Sequence, residues 1–338
     1  MRSAVPTYSQ AMRAPLVDGF GRVHTDLRLS LTDRCNLRCT YCMPAEGLDW
    51  LPKPELLTDD ELVRLVTVFA SMGVRTVRLT GGEPLLRKGL PGLVQRLAAL
   101  DLSLSLTTNG LGLERSAQAL RDAGLRRVNV SLDTLRPERF LELTRRDRFA
   151  DVVKGLAAAK SAGLDPVKVN TVLMRGVNDD EAGDLLAWAL DHGYALRFIE
   201  QMPLDPQHGW DRSTMLDADE ILARLGERWT LTPVEVRGSA PAEQFLVDGG
   251  PATVGVVGSV SRPFCGACDR LRLTADGQVR NCLFARDESD LRAPLRAGAS
   301  DDELAVRLQA AVWTKKKGHG IGEPGFVQPD RPMSAIGG

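Results

Sequence analysis

From residue 26 to residue 200 the chain alternates short apolar runs of period two with longer runs of helical period, six times over. Leu27, Leu29 and Leu31 alternate with polar neighbours, the pattern of a strand. Thr58-Asp-Asp-Glu61 is a capping box ahead of Leu62, Leu65, Val66 and Phe69, which predicts a helix that Gly73 ends. Strands are then expected over 74–79, 102–106, 127–132, 167–173 and 195–199. Helices are expected near 89–100, in a run ending at Gly124, over 150–162, and over 179–192 with Asn178 as cap. Strands alternating with helices imply a parallel sheet with right-handed crossovers. Six units rather than eight predict an α/β fold, an incomplete (β/α)6 barrel of TIM type that stays open on one side.

In such a barrel the carboxyl ends of the strands share one face, and that face carries the site. Cys35 to Cys42, Gly81-Gly82-Glu83-Pro84, Thr107-Thr108-Asn109, Ser131-Leu132-Asp133 and Glu200-Gln201-Met202 each follow a predicted strand. After Ile199 the pattern changes. A polar stretch over 203–214 precedes Asp217-Ala-Asp-Glu220, which opens a helix to about Arg228. Short strands are expected over 231–236, 244–247, 253–257, 270–274 and 278–283, and Ser300-Asp-Asp-Glu303 caps a last long helix to about Trp313. The expected division is an arm over 1–25, the partial barrel over 26–214, and a smaller α+β region over 215–338 packed on the open side.

All six cysteines fall in two triplets, Cys35/Cys39/Cys42 and Cys265/Cys268/Cys282. Three thiolates spaced C-x3-C-x2-C hold three corners of one centre and leave the fourth open, because no further Cys or His lies close by in sequence. An iron–sulfur cube held by three cysteines keeps one iron free for a substrate or cofactor. Zinc is the competing reading, but a structural zinc site wants four protein ligands. Disulfides do not fit a chain in which no leader is recognisable. The second triplet also lacks a fourth ligand, His319 being far off in a Gly-rich segment, and is read as a second iron–sulfur site that binds substrate.

Other residues narrow the chemistry. The two glycines of Gly81-Gly82-Glu83-Pro84 let backbone approach a ligand closely, and ionised Glu83 suits a ligand ammonium. No phosphate-binding G-x-x-x-x-G-K-[ST] loop exists, so a nucleotide triphosphate must meet side-chain cations. Arg270 and Arg272 alternate on a strand after Cys268 and face one way, a fork pair for phosphate oxygens. Arg28, Arg78 and Lys168 sit among apolar strand neighbours, which places them in a polar barrel interior. Lys315-Lys-Lys317 reads as cations complementing a helix C-terminus. Net charge of −1 and the lack of a basic, aromatic-rich face exclude nucleic acid as a partner. No apolar run of membrane-spanning length is present, so no membrane partner and a cytoplasmic location are expected.

Taken together these stretches resemble the GTP 3′,8-cyclase family of molybdenum cofactor biosynthesis, within the radical S-adenosylmethionine (SAM) superfamily. The matching residues cover nearly the whole chain: Leu29-Ser30-Leu-Thr-Asp33, Val77-Arg78-Leu-Thr-Gly-Gly-Glu83-Pro84 and Thr107-Thr108-Asn109-Gly110. They continue through Asn129-Val-Ser131-Leu-Asp133, Val167-Lys168-Val-Asn170, Arg197-Phe-Ile-Glu200 with Met202, Phe264-Cys265-Gly-Ala-Cys268-Asp-Arg270-Leu-Arg272 and Met333-Ser-Ala-Ile-Gly337-Gly338.

The resemblance implies two [4Fe-4S] clusters and SAM as cofactors, with Cys35, Cys39 and Cys42 holding the SAM cluster and Cys265, Cys268 and Cys282 the second. It implies SAM contacts at Tyr41, Gly82, Glu83, Ser131 and Met202, and GTP contacts at Arg28, Arg78, Thr107, Lys168, Arg270 and Arg272. No side chain is assigned as acid or base; the Gly337-Gly338 tail is expected to reach the active site. The implied lyase reaction takes hydrogen from C3′ of GTP with a 5′-deoxyadenosyl radical and joins C3′ to C8, giving (8S)-3′,8-cyclo-7,8-dihydroguanosine 5′-triphosphate. Implied partners are GTP, a reductant protein and, as acceptor of the product, cyclic pyranopterin monophosphate synthase; a homodimer is entertained without a residue to carry it. The two clusters are expected to face each other across one buried cavity, since radicals require water to be excluded. Two rivals remain: a peptide-modifying radical SAM enzyme with one auxiliary cluster, and a non-catalytic zinc adaptor.

Overall fold

The computed structural model describes residues 13–235 and 237–337. Chain order is β1 (Asp26–Ser30), α1 (Asp59–Ser71), β2 (Thr76–Thr80), α2 (Leu90–Ala98), β3 (Ser103–Thr108), α3 (Leu113–Asp122) and β4 (Arg127–Ser131). There follow α4 (Pro137–Thr144), α5 (Phe149–Ser161), β5 (Val167–Leu173), α6 (Ala182–His192) and β6 (Ala195–Glu200). The remainder is α7 (Ala218–Gly226), β7 (Leu231–Pro233), β8 (Glu243–Val247), β9 (Thr253–Val257), β10 (Arg270–Leu273), β11 (Gln278–Arg280), β12 (Ser289–Asp290), α8 (Arg292–Arg296), α9 (Asp301–Trp313) and α10 (Met333–Ile336).

The helix starts follow from local chemistry. Thr58, Asp217 and Ser300 each accept from the backbone N–H three residues on, and the Glu at that position returns the bond, so all three capping boxes close. Asn178 does not cap α6. Its side chain accepts from Met174 N at 2.8 Å and donates to Asp133 O at 2.8 Å and Val172 O at 2.9 Å, while a 3-10 turn (Asp179–Glu181) leads into the helix. The helix α4 had no counterpart in the periodicity, since Arg136-Pro137 and eight residues offer too short a pattern.

Strands β1 to β6 lie side by side in chain order, every neighbouring pair parallel. The sheet does not stop at six. Strand β10 pairs parallel with the outer edge of β1, and β9 pairs parallel with β6, so among the described residues eight strands run parallel. The C-terminal strands thus extend the barrel sheet on both edges, and antiparallel β11–β12 and β8–β7 finish it. One continuous core runs between sheet and helices, with Leu27, Leu29, Val77, Leu79, Leu104 and Leu106 fully buried against residues such as Leu62, Phe69 and Leu93. Among the described residues no helix is long and apolar enough to cross a membrane.

Glu200 ties the two regions together. It is fully buried at the end of β6 and accepts from Ala218 N at 2.8 Å, Val260 N at 2.7 Å, Ser261 N at 2.9 Å, and the Ser261 hydroxyl. A carboxylate at the first turn of α7 also complements the helix dipole. We expect Glu200→Ala, which strands these buried amides, to cost on the order of 3 kcal/mol in denaturant unfolding. A loss well below 1 kcal/mol would mean that water replaces the carboxylate.

Candidate active site

The carboxyl ends of the parallel strands open onto a cavity of about 310 Å³. Cys35, Cys39 and Cys42 stand on its wall, on a loop turned by Cys42 N and Met43 N, which both donate to Cys39 O. Arg38 braces the loop by donating to the carbonyls of Cys35 at 2.8 Å and Leu37 at 2.9 Å. All six cysteines of the chain are free thiols. Burial, with the neighbouring thiols, pushes Cys39 well up and Cys42 to about 12. Thiols so placed keep their protons until a positive centre takes them over.

The donor sets fit iron–sulfur clusters. A single zinc ion draws its sulfurs to within about 4 Å of one another, and among the described residues no three Cys, His, Asp or Glu converge on one metal ion. A four-iron cube needs only three thiolates, one on each of three irons, which is the number each set offers.

Gly81 and Gly82 form a cradle beside the first set. A Cβ on Gly82 would sit 2.3 Å from Arg34 O, so the cysteine loop packs on bare backbone. Glu83, expected to meet a ligand ammonium, is bonded within the protein on both oxygens. Its carboxylate is fully buried and accepts from Leu85 N at 2.9 Å, Thr108 Oγ1 at 2.8 Å and Asn109 N at 2.7 Å. Burial raises it to about 7 against those bonds. Glu83 therefore locks the ends of β2 and β3 together behind Gly82. Tyr41, Ser131 and Met202 do line the cavity, and the Tyr41 hydroxyl donates to Asp133 Oδ2 at 2.6 Å.

Below the cysteine loop the wall is cationic. Arg272, Arg28 and Arg78 are aligned in register across β10, β1 and β2, so their side chains leave the same face of the sheet. Burial, and after it the neighbouring guanidinium groups, lowers Arg78 well below its ordinary range and brings Arg197 down to about 10. Thr107 and Arg270 line the same cavity; Arg270 donates to Ser239 O at 2.8 Å and lies over the Phe264 ring. Lys168 is not on the cavity wall but lies within electrostatic reach of Arg197, Arg78 and Arg127, and burial followed by those charges lowers it to about 7. The Nε atoms of Arg28, Arg78 and Arg127 and Nη2 of Arg270 are buried without a partner.

Sequence reasoning did not assign Arg127, Arg197 or Asn170. Arg197 and Asn170 line the cavity, and Arg127 contributes charge beside it. The signal was available for Arg197, which stands between Leu196 and Phe198 as Arg28 stands between Leu27 and Leu29.

The chain end enters the same cavity. Met333 and Ser334 of α10 line it, Ser30 Oγ donates to Ile336 O at 3.1 Å, and Arg272 donates to Gly337 O. A Cβ on Gly337 would fall 2.2 Å from Ser30 Oγ, so only glycine seats there. Gly338 lies outside the described residues.

Cys265, Cys268 and Cys282 do not line this cavity. They open on an adjoining one of about 340 Å³, while Phe264, Arg270 and Leu283, their chain neighbours, form the wall of the first. The two triplets thus line two cavities, linked in the chain where Cys265 follows Phe264 and Leu283 follows Cys282. Burial works against the Cys268 thiolate, yet Arg270 and Lys315 beside it hold this thiol below its usual range.

Comparison with known proteins agrees with this geometry. Residues 29–189 match the family described as the Radical SAM superfamily, and residues 194–321 match Molybdenum Cofactor Synthesis C. A GTP 3′,8-cyclase from Streptomyces coelicolor is 67% identical over 328 residues, covering 96% of each chain. Another, from Corynebacterium glutamicum, is 54% identical and covers 96% of this chain and 89% of its own. Among solved structures, Streptococcus suis SuiB superposes with a TM-score of 0.59 at 15% identity, covering 89% of this chain and 68% of that one, a likeness of fold.

Asp133 gives the site a pH signature. Burial raises its carboxyl to about 6 against the bonds from Tyr41 and Val172 N. A raised carboxyl favours the folded state below its unfolded value near 4, and that contribution is lost as pH rises through about 6. Asp133→Asn, whose amide can donate to Tyr41, should stabilise the ligand-free protein at pH 8 by on the order of 3 kcal/mol, with the gain shrinking toward pH 4. A pH-independent difference between the two proteins would refute this reading.

Proposed function

The chain belongs to the GTP 3′,8-cyclases of the radical SAM superfamily, and from that premise we propose how its cavity performs the cyclisation. The reaction joins C3′ to C8 of GTP, an early step of molybdenum cofactor biosynthesis. The observation that carries the assignment is the line of buried, part-unpaired arginines between the two cysteine sets.

A [4Fe-4S] cluster on Cys35, Cys39 and Cys42 supplies, when bound, the electron that splits SAM into methionine and a 5′-deoxyadenosyl radical. Gly82 offers bare backbone to SAM, Tyr41, Ser131 and Met202 enclose it, and Glu83 positions the glycine pair from behind. Arg28, Arg78, Thr107, Lys168, Arg270 and Arg272 receive GTP, with Arg197 added to the set. Guanidinium groups held without partners gain charge-assisted bonds to phosphate that water-exposed ones would not. Cys265, Cys268 and Cys282 would hold a second cluster, which would supply an open coordination position for the purine, and Phe264 and Arg270 line the GTP cavity next to them in the chain. The tail through Gly337 closes the cavity over the ribose and keeps water and stray hydrogen donors out. A reductant protein, cyclic pyranopterin monophosphate synthase as acceptor of the product, a cytoplasmic setting and a homodimer complete the reading.

The test is anaerobic reconstitution with iron and sulfide, followed by incubation with SAM, reductant and GTP. The products should be 5′-deoxyadenosine and an isomer of GTP; 5′-deoxyadenosine without that isomer would overturn the assignment. Cys268→Ser should leave SAM cleavage partly intact and abolish cyclisation, and equal loss of both with the first cluster loaded would contradict divided roles. Arg270→Ala should raise the GTP requirement about tenfold to a hundredfold while iron content stays level. Iron lost in step with GTP affinity would instead make Arg270 a scaffold of the cluster.

A further inference from the structure

Lys315 follows the end of α9 and is 4% exposed. Its ammonium does not return to the helix carbonyls, as its place after a helix led us to expect. It donates to Arg270 O at 2.8 Å and Asn281 O at 2.6 Å, and lies 3.6 Å from Cys268 Sγ. Arg270 stands two residues after Cys268, and Asn281 immediately precedes Cys282. One cation therefore fastens the two strands from which two of the three cysteines hang. Arg22 serves the third from the far end of the chain. Its Nη1 donates to Cys265 O at 2.6 Å and its Nη2 to Lys316 O at 2.7 Å, while Asp18 Oδ2 holds its Nε at 2.6 Å.

The first cysteine set has a backbone brace of its own, Arg38 donating to Cys35 O at 2.8 Å, but among the described residues the donor at its sulfurs is a neutral amide, Asn109 Nδ2 at 3.8 Å from Cys35 Sγ, and not a cation. The charged neighbours of Cys39 are Cys42, Asp133 and Cys35, and Cys35 has Glu83 ahead of Arg38. The two sets of donors thus differ at the sulfur: a lysine ammonium reaches Cys268 Sγ in the second, while the first has Glu83 and Asp133 among its charged neighbours as well as Arg38. A cation donating to a ligand sulfur stabilises the more negative, reduced state of an iron–sulfur centre, and ligand orientation depends on the groups behind the ligands. Inside the protein, where water does not screen it, that attraction is not averaged away.

We propose that Lys315 is a positioning residue of the second cysteine set, fixing Cys268 and Cys282 around a four-iron cluster and holding it at a higher reduction potential than the first. The proposal rests on reading the second set as a cluster site, and the experiment separates the two.

The reconstituted full-length protein is compared with Lys315→Met, Lys315→Gln and Lys315→Arg by iron and sulfide content and by redox titration followed by electron paramagnetic resonance. The second cluster is identified as the signal missing from Cys268→Ser. In the Met and Gln variants the second cluster should shift to lower potential or lose its iron, while the first keeps both iron and midpoint. Arg should restore the native value in part. The Gln variant retains a donor for one carbonyl and decides the matter should the Met variant fail to fold. Both clusters loaded with unmoved midpoints in Met and Gln, or both midpoints moving together, would overturn the proposal alone. Iron for fewer than two clusters in the unsubstituted chain would overturn the cluster reading and this proposal with it.

Discussion

Arg272, Arg28 and Arg78 occupy one register line across three adjacent parallel strands, and Arg280 extends it onto β11. Neighbouring strands of a sheet lie about 4.8 Å apart, so these guanidinium groups are held close together by the backbone itself. Only Arg28 and Arg280 have acidic partners among them, Asp26 and Glu288. Such an array opposes folding, and the apolar core under the helices offsets that strain. Its consequence is selectivity for a ligand that brings several negative charges into a space lined by donors without partners. The repulsion stored in the empty site is released by a polyanion and by little else.

The cysteine loops depend on the same economy of space. The first packs on the backbone of Gly81 and Gly82, and Glu83 keeps that backbone in place by bonding to the end of the next strand. The second has no glycine cradle; a lysine and an arginine from opposite ends of the chain hold it. Arginines brace both loops, Arg38 the first and Arg22 the second, but the first also needs bare backbone beneath it and the second a lysine against its sulfur. A ligand that needs close backbone contact and one that needs a cationic surround are thereby sorted to different cysteine sets.

How far this was legible beforehand varied with the range of the interaction. The six strand–helix units, the three capping boxes and both cysteine sets are local patterns, and the sequence carries them in full. Arg28 and Arg78 were legible because a cation between leucines or valines in a strand has few places to go. The bonds from Thr108 and Asn109 to Glu83 were not legible, since nothing local announces that the end of the next strand will reach that carboxylate. Lys315 misled for a similar reason: its position after a helix has an adequate local explanation, and the carbonyls it reaches lie 34 and 45 residues away. The two extra parallel strands were read as strands, but their partners β1 and β6 are set by tertiary pairing that periodicity does not encode.

The pairing of β1 with β10 also has a bearing on how the molecule comes into being. Thr25, at the threshold of β1, bonds to Asp269 across 244 residues. A ribosome adds about 5–20 residues per second, so β1 waits on the order of tens of seconds for its outer neighbour. During that interval one flank of a growing parallel sheet presents bare amides and carbonyls to solvent, the very geometry that recruits other chains. Slower translation would lengthen the time for which that flank stands open, and an early-completed β10 would shorten it.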